Sequence, residues 1–339
     1  MADHSVRMAI VGCGGRGREF AKGVVADGRC EVVALVDPAR DRAEAVAKEF
    51  GLRSGVYADL EAMLKTERPD AVCLALWTRL HLPAIERCLD AGVRTILCEK
   101  PMAETWPKCR RIGDLAERSG ATITFCHQRR FAPGNRYLRR LLRDGVFGEV
   151  LRLDLYSPPH LLDCGTHTVD QALSFLGEIP GKWVLGGCDL SKTVNYFDVP
   201  AEGTAVGVVV FQNGVRAQLQ FGGPDLDLWG GVRLHGTRGF FEVLWDGEIQ
   251  RAVVYDDPSW KPEPPEGDPR EDVMRHVVAD ALDAPAKGEE PELSWQKALR
   301  AAEILFALYE SMRRRERVEL PLTDVNDNPM FELLGLEQD

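Results

Sequence analysis

From residue 7 to residue 126 the chain alternates short apolar runs with helical patterns, and this alternation restricts the fold more than any other feature. The runs are Arg7–Val11, Glu31–Asp37, Ala71–Leu76, Thr95–Cys98 and Thr122–Phe125. Strands that are apolar on both faces belong inside a parallel sheet covered on each side. The helical patterns between them are Gly17–Ala26, Asp41–Phe50, Asp59–Glu67, Leu80–Ala91 and Thr105–Ser119. Gly51, Gly92 and Gly120 follow three of these, where left-handed C-terminal caps belong. The pattern predicts an α/β Rossmann domain, a doubly wound parallel sheet, over residues 1–127.

The character changes after residue 127. Asn135–Arg143 reads as a basic amphipathic helix, Leu151–Tyr156 as a strand and His167–Leu176 as a helix. Period-two alternation follows, with Arg216, Gln218 and Gln220 on one face and Ala217, Leu219 and Phe221 on the other. Asn213-Gly214 is a hairpin signal, and Gly236–Gly239 reads as a second tight connection. Hairpins so spaced predict an antiparallel sheet. Pro258–Pro269 reads as a surface loop, and helices over Glu271–Ala284 and Ser294–Arg314 close the chain. A length of 339 residues exceeds one core, so residues 128–339 are expected to form a second domain for substrate binding and oligomerisation.

A net charge of -11 argues against nucleic acid or an anionic membrane as the partner. The opening Met-Ala-Asp-His has neither a basic nor an apolar region, so no signal peptide is expected. No apolar run approaches the roughly 20 residues that span a bilayer. The nine cysteines include no Cys-x-x-Cys pair, and Cys73, Cys98 and Cys126 lie in apolar runs. A reducing cytoplasm is the expected compartment.

Gly12-Cys13-Gly14-Gly15-Arg16-Gly17 matches Gly-x-Gly-x-x-Gly, directly after the first strand and opening the first helix. Glycines there allow a tight turn, a close approach of pyrophosphate and close helix–strand packing. The helix N-terminus offers N–H donors and partial positive charge to phosphates, to which Arg16 can add a full charge. Asp37 ends the second strand 20 residues beyond Gly17, placed to accept hydrogen bonds from ribose hydroxyls. NAD is therefore the expected cofactor, while Arg40 and Arg42 can tolerate NADP.

Glu99-Lys100-Pro101 follows the fifth strand at its carboxyl end, the edge where open parallel sheets bind ligands. A lysine there can contact the nicotinamide ribose and hydrogen-bond the reacting oxygen of a substrate, so Lys100 is a candidate for cofactor binding as well as catalysis. Asp163-Cys-Gly-Thr-His167-Thr-Val-Asp170 is the second constellation. Histidine suits proton transfer, and a neighbouring carboxylate can fix its tautomer. If a helix begins near His167, Asp163, His167 and Asp170 can converge. A divalent ion held by Asp163, His167 and His160 is an alternative. It is set aside because three ligands at such spacing recur by chance, and no metal is expected.

These residues resemble the glucose–fructose oxidoreductase / inositol dehydrogenase (Gfo/Idh/MocA) family over nearly the whole chain. The carriers are Gly12 to Gly17, Asp37, Thr78-Arg-Leu-His81, Cys98-Glu99-Lys100-Pro101, Arg130-Phe-x-Pro133 and Asp163-x-Gly165-x-His167-x-x-Asp170. The resemblance implies a C-terminal α/β domain with a large, open, mostly antiparallel sheet. It implies transfer of a hydride between NAD(P) and a hydroxyl-bearing carbon of a sugar, polyol or nucleotide sugar. Lys100 inherits a catalytic role, Asp163 that of a substrate-holding carboxylate and His167 that of a general base. Thr78, His81 and Glu99 match positions near the cofactor, and Arg130 matches a position lining the substrate cleft. Where many members carry glycines before the Asp, this chain has Tyr156-Ser-Pro-Pro-His160-Leu-Leu, so the substrate-facing wall is altered. Tyr156 and His160 are candidates for that wall.

Gly14-Gly-Arg-Gly-Arg also resembles a subset of the family that contains glycosidases using tightly bound NAD for transient oxidation and elimination. A non-catalytic dinucleotide-binding sensor is a further alternative, disfavoured by the presence of Lys100, Asp163 and His167 together. Arg313-Arg-Arg-Glu-Arg317 and Arg139, Arg140 and Arg143 read as solvated helix ends, and Trp229 as packing. An open sheet needs a cover, and a second copy of the chain is the simplest, which predicts a homodimer or homotetramer.

Overall fold

The first apolar run forms β1 (Val6–Val11) in the computed structural model, which describes residues 5–158, 160–222, 230–263, 273–323, 325 and 327–336. Then come β2 (Cys30–Val36), β3 (Gly55–Tyr57), β4 (Ala71–Leu74), β5 (Thr95–Cys98) and β6 (Thr122–Phe125). They hydrogen-bond in the order β3-β2-β1-β4-β5-β6, all parallel. This is the doubly wound arrangement, whose order reverses beside β1 and places a ligand edge at the carboxyl ends of β1 and β4. Apolar residues at Met8–Ile10, Ala71–Leu74 and Ile96–Cys98 are almost fully buried, as strands covered on both faces require.

The helices Gly15–Asp27, Arg40–Phe50, Leu60–Glu67, His81–Asp90 and Trp106–Ser119 connect these strands. Asp59 caps the third, its side chain accepting the Ala62 N–H at 2.8 Å. Two compact units emerge. The first comprises Met1–Ala103, Lys108–Gln128 and Asp272–Ala298, and the second comprises Glu104–Pro107, Arg129–Glu271 and Leu299–Asp339. A single boundary at 127/128 was expected, but helix Val273–Lys287 returns to the first unit. It buries Met274, Val277, Val278, Ala281 and Ala284 along one stripe. Gly23 lets it approach helix Gly15–Asp27, because a Cβ there would lie 2.6 Å from the Met274 carbonyl oxygen.

The second unit is built on β7 (Val150–Ser157), β8 (Gly181–Asp189), β9 (Val194–Tyr196), β10 (Val199–Ala201), β11 (Thr204–Phe211), β12 (Arg216–Gly222), β13 (Gly231–Gly236), β14 (Gly239–Leu244), β15 (Ile249–Val254) and β16 (Val318–Glu319). Eight of them form a sheet in the order β15-β14-β13-β7-β12-β11-β8-β16, antiparallel except for the β7–β12 pair, while β9 and β10 form a hairpin. One face of the sheet is buried. Leu153, Leu155, Leu234 and Phe241 lie there, and Phe175 of helix Thr166–Phe175 meets Phe241 edge-on at 5.2 Å. Helix Trp295–Arg314 covers β8, where the Ser311 hydroxyl accepts the Gly186 N–H at 3.0 Å. The other face carries Arg216, Gln218 and Gln220 in exposed positions beside exposed Leu185 and Val206.

The basic run at the end of helix Trp295–Arg314 is paired. Arg313 and Arg314 bond to buried Glu310, and Arg317 pairs with Glu319. All nine cysteines are free thiols, and no helix of the described residues is long and apolar enough to cross a membrane. Trp229 and residues 264–269 of the expected loop lie outside the described residues.

Candidate functional site

In the first unit, the chain leaves β1 at Val11 and turns through Gly12 into helix Gly15–Asp27. Two glycines are demanded by the protein itself. Gly12 has φ +87°, and a Cβ there would sit 2.2 Å from the Ala75 carbonyl oxygen. A Cβ on Gly17 would sit 1.9 Å from the Gly12 oxygen. Gly14 and Gly15 differ, because a Cβ on either would meet nothing within 4 Å. They leave open space above a helix N-terminus that has no side-chain cap and no acidic residue in its first turn. A pyrophosphate fits this cradle, where backbone N–H groups can approach it closely.

Asp37 stands beside the loop, 6% exposed. Its Oδ2 accepts the Cys13 N–H at 2.9 Å and its Oδ1 accepts the Ala39 N–H at 2.8 Å. Each oxygen keeps a lone pair for a ribose hydroxyl. Burial, then the Asp37 charge, push the Cys13 thiol up to about 12, so this loop cysteine stays protonated.

Arg16 does not add its charge to the cradle as expected. Its Nε donates to Glu99 Oε1 at 2.7 Å and its Nη2 to Cys126 Sγ at 3.4 Å. The buried Glu99 carboxylate outcompetes solvent for the guanidinium and draws it toward the ends of β5 and β6. Glu99 Oε2 also accepts the backbone N–H of Lys100 at 3.2 Å, so this carboxylate fixes the strand end that presents the lysine. Thr78 is buried in the short turn Thr78–Leu80 that follows β4. His81, expected near the cofactor, is completely buried. Its Nδ1 lies 3.0 Å from the Pro101 oxygen and its Nε2 3.1 Å from the Leu76 oxygen. Burial pushes its pKa down, and the neutral ring braces the backbone just after Lys100. The residues brought together here are thus Gly12 to Gly17 with Asp37, and Arg16 with Glu99, Lys100 and His81.

In the second unit, β7 leads through His160 into a wide π turn, Leu161–Gly165, continuous with helix Thr166–Phe175. Asp163 lies in that turn and His167 at the second position of the helix, 3% exposed. His160, expected on the substrate wall, caps the turn. Its Nδ1 accepts the Asp163 N–H at 3.3 Å, and its ring meets Tyr196 edge-on at 5.1 Å. The helix begins without a side-chain cap, so Thr166 does not serve as one.

Asp170, one turn beyond His167 on the same helix, is engaged by Arg130. It accepts two hydrogen bonds at 2.8 Å from Arg130 Nε and Nη2. Arg130, expected to line the substrate cleft, is 1% exposed and also pairs with Glu178. A buried guanidinium demands partners, and the carboxylates that supply them hold the His167 helix to the turn Gln128–Phe131. Tyr156 is also displaced from its expected place. Side chains alternate along β7, so Tyr156 points away from Leu155 and from the helix that carries His167. There its hydroxyl donates to Glu242 Oε1 at 2.7 Å, which Arg233 also reaches at 2.9 Å.

Sequence reasoning missed Arg129. Its guanidinium lies 3.9 Å over the Trp245 ring and its Nη2 donates to Cys164 Sγ at 3.8 Å, next to Asp163 in the chain. Burial pulls its pKa down to about 10. The signal was one residue away, because adjacent side chains on a tight turn diverge and the Arg-Arg pair does not say which member turns inward.

Residues 6–127 match the family described as oxidoreductase, NAD-binding Rossmann fold, and residues 156–320 match its C-terminal alpha/beta domain. The chain is 29% identical over 201 residues to D-glucoside 3-dehydrogenase of Escherichia coli, covering 52% of this chain and 56% of that protein. It is 35% identical over 186 residues to myo-inositol dehydrogenase Hyg17 of Streptomyces leeuwenhoekii, covering 53% and 55%. The chain thus spans about half the length of these curated relatives. The WlbA dehydrogenase of Bordetella pertussis, solved with NADH and UDP-GlcNAcA, shares the fold, with a TM-score of 0.79, 20% identity and coverage of 95% of this chain and 100% of that one. With both halves of the family pattern matched in order, the chain belongs to the Gfo/Idh/MocA oxidoreductase family and its first domain is an NAD-binding Rossmann domain.

Proposed function

We propose that the protein is a dehydrogenase that moves a hydride between NAD and a hydroxyl-bearing carbon of a sugar, polyol or nucleotide sugar. The observation that carries this reading is the cradle at Gly14 and Gly15, open above an uncapped helix N-terminus, on the same sheet edge that presents Lys100. Gly12 to Gly17 would hold the pyrophosphate and Asp37 the adenine ribose, where its negative charge disfavours the 2′-phosphate of NADP. The nicotinamide, when bound, supplies the hydride acceptor. His167 has the part of general base, Lys100 that of a cation stabilising negative charge on a substrate oxygen, and Asp163 that of a carboxylate binding a substrate hydroxyl.

Exposed Leu185 and Val206 beside Arg216, Gln218 and Gln220 support self-association through the open sheet face, as a homodimer or homotetramer. Nine free thiols support a cytoplasmic location.

The test is turnover of Lys100→Met and His167→Asn on a panel of sugars, polyols and nucleotide sugars, followed by absorbance of reduced cofactor. Each variant is expected to lose about 10²–10⁴-fold in kcat while its Kd for NADH stays within about twofold. Wild-type turnover in both variants would discard the assignment. Cleavage of a glycoside without net NADH would move the reading to a glycosidase that recycles its cofactor.

A further inference from the structure

The turn that carries Asp163 is held by a buried acid and phenol that take no part in the chemistry proposed above. Glu202, between β10 and β11, is fully buried. Its Oε1 accepts the Leu161 N–H at 2.7 Å, and its Oε2 accepts the hydroxyl hydrogen of Tyr309 at 2.8 Å. Tyr309, on helix Trp295–Arg314, is also fully buried. With His160 accepting the Asp163 N–H, two backbone donors at the start of the π turn each meet a side-chain acceptor.

A surface Ser or Asn would satisfy such donors at lower cost, because burying a carboxyl group strips it of water. Burial indeed pushes the Glu202 carboxyl above its ordinary range, while the bonds from Leu161 and Tyr309 pull it back. The arrangement does something a surface cap cannot. Glu202 stands between β10 and β11 and is held by Tyr309 on the covering helix, so one acid ties the turn to both. Asp163 sits two residues past the pinned Leu161 N–H, and the same stretch runs unbroken into the helix that carries His167.

We propose that Glu202 and Tyr309 are positioning residues that set the placement of Asp163 and, along the continuous helix, of His167. This rests on the dehydrogenase reading of those two residues. Removing the Tyr309 hydroxyl leaves one buried Glu202 oxygen without its donor, and the acid and the turn it holds shift to recover a partner.

The test is a double-mutant cycle on kcat/KM with Tyr309→Phe, Asp163→Asn and the pair together, beside Glu202→Gln and the control Ile304→Val. Ile304 is buried on the same helix, and its substitution costs stability without touching the turn. Tyr309→Phe and Glu202→Gln are expected to lower kcat/KM about tenfold to a hundredfold, with NADH Kd unchanged and Ile304→Val near wild type. In the Asp163→Asn background, adding Tyr309→Phe should cost no more than about twofold, because a misplaced residue already disabled has little left to lose. Fully multiplicative losses, or wild-type kcat/KM in Tyr309→Phe and Glu202→Gln, would overturn the proposal. If Tyr309→Phe does not fold, the Glu202→Gln arm of the same cycle decides it. An unimpaired Asp163→Asn would instead remove the reading of the site itself, so the two failures are distinguishable.

Discussion

The phosphate loop of the first unit and the Asp163–His167 turn of the second are both short stretches that enter a helix, yet they are held by different means. Gly12 and Gly17 shape the loop largely through backbone sterics, Gly12 against the Ala75 oxygen after β4 and Gly17 against the Gly12 oxygen. The second turn owes its shape to distant side chains: Glu202, Tyr309 and, through Asp170, Arg130. A site for a cofactor shared by a whole family can be built into the main chain. A site that must suit one substrate rests on residues that can be exchanged one at a time.

The largest expected effect tests the first half of that contrast. Gly17→Ala places a methyl into the Gly12 oxygen, so NADH binding is expected to weaken more than about a hundredfold in a fluorescence titration. Gly14→Ala has room for its methyl, so its Tm should stay within about 2 °C of wild type while NADH affinity falls at least about tenfold. Tight binding by Gly14→Ala would break the claim that its open space is the pyrophosphate's. The second half of the contrast is tested by Arg130→Met, which strands buried Asp170 and should cost about 3–5 kcal/mol in a urea titration. A loss below about 1 kcal/mol would show that the helix of His167 is held by something else.

The smallest effect concerns His81, whose pKa in the folded chain lies below the ordinary 6.5. Below pH 6.5 the unfolded chain takes up a proton that the folded ring refuses, so stability is present above that pH and lost as pH falls toward the folded pKa. His81→Asn should therefore flatten the fall of Tm between about pH 6.5 and 5. An unchanged slope would mean that the ring titrates freely and does not brace the segment after Lys100.

Much of the first unit was legible because its signals are local. Thr95–Cys98 and Thr122–Phe125 stand where their apolar runs placed them, and Gly51, Gly92 and Gly120 all take positive φ after their helices. β3 was missed, since three half-buried residues are too few to show alternation. In the second unit, alternation gave the two faces of β12 correctly, with Ala217, Leu219 and Phe221 buried. It could not say which face of β7 would meet a helix, and so Tyr156 was assigned to the substrate wall. Arg130 and Arg129 could not be told apart by spacing. Glu202 and Tyr309 had no motif at all, because a contact across 107 residues leaves no periodic trace in the chain.

The return of helix Val273–Lys287 to the first unit has a consequence for how the molecule is made. A ribosome that has released the sixth strand has delivered every motif of the nucleotide half but not the helix that seals the groove at Gly23. Until some 150 further residues emerge, apolar surface that the finished protein hides stays open to water and to other chains. A nascent chain of this kind has reason to meet a chaperone midway through synthesis, and a recombinant fragment cut after residue 127 is expected to aggregate.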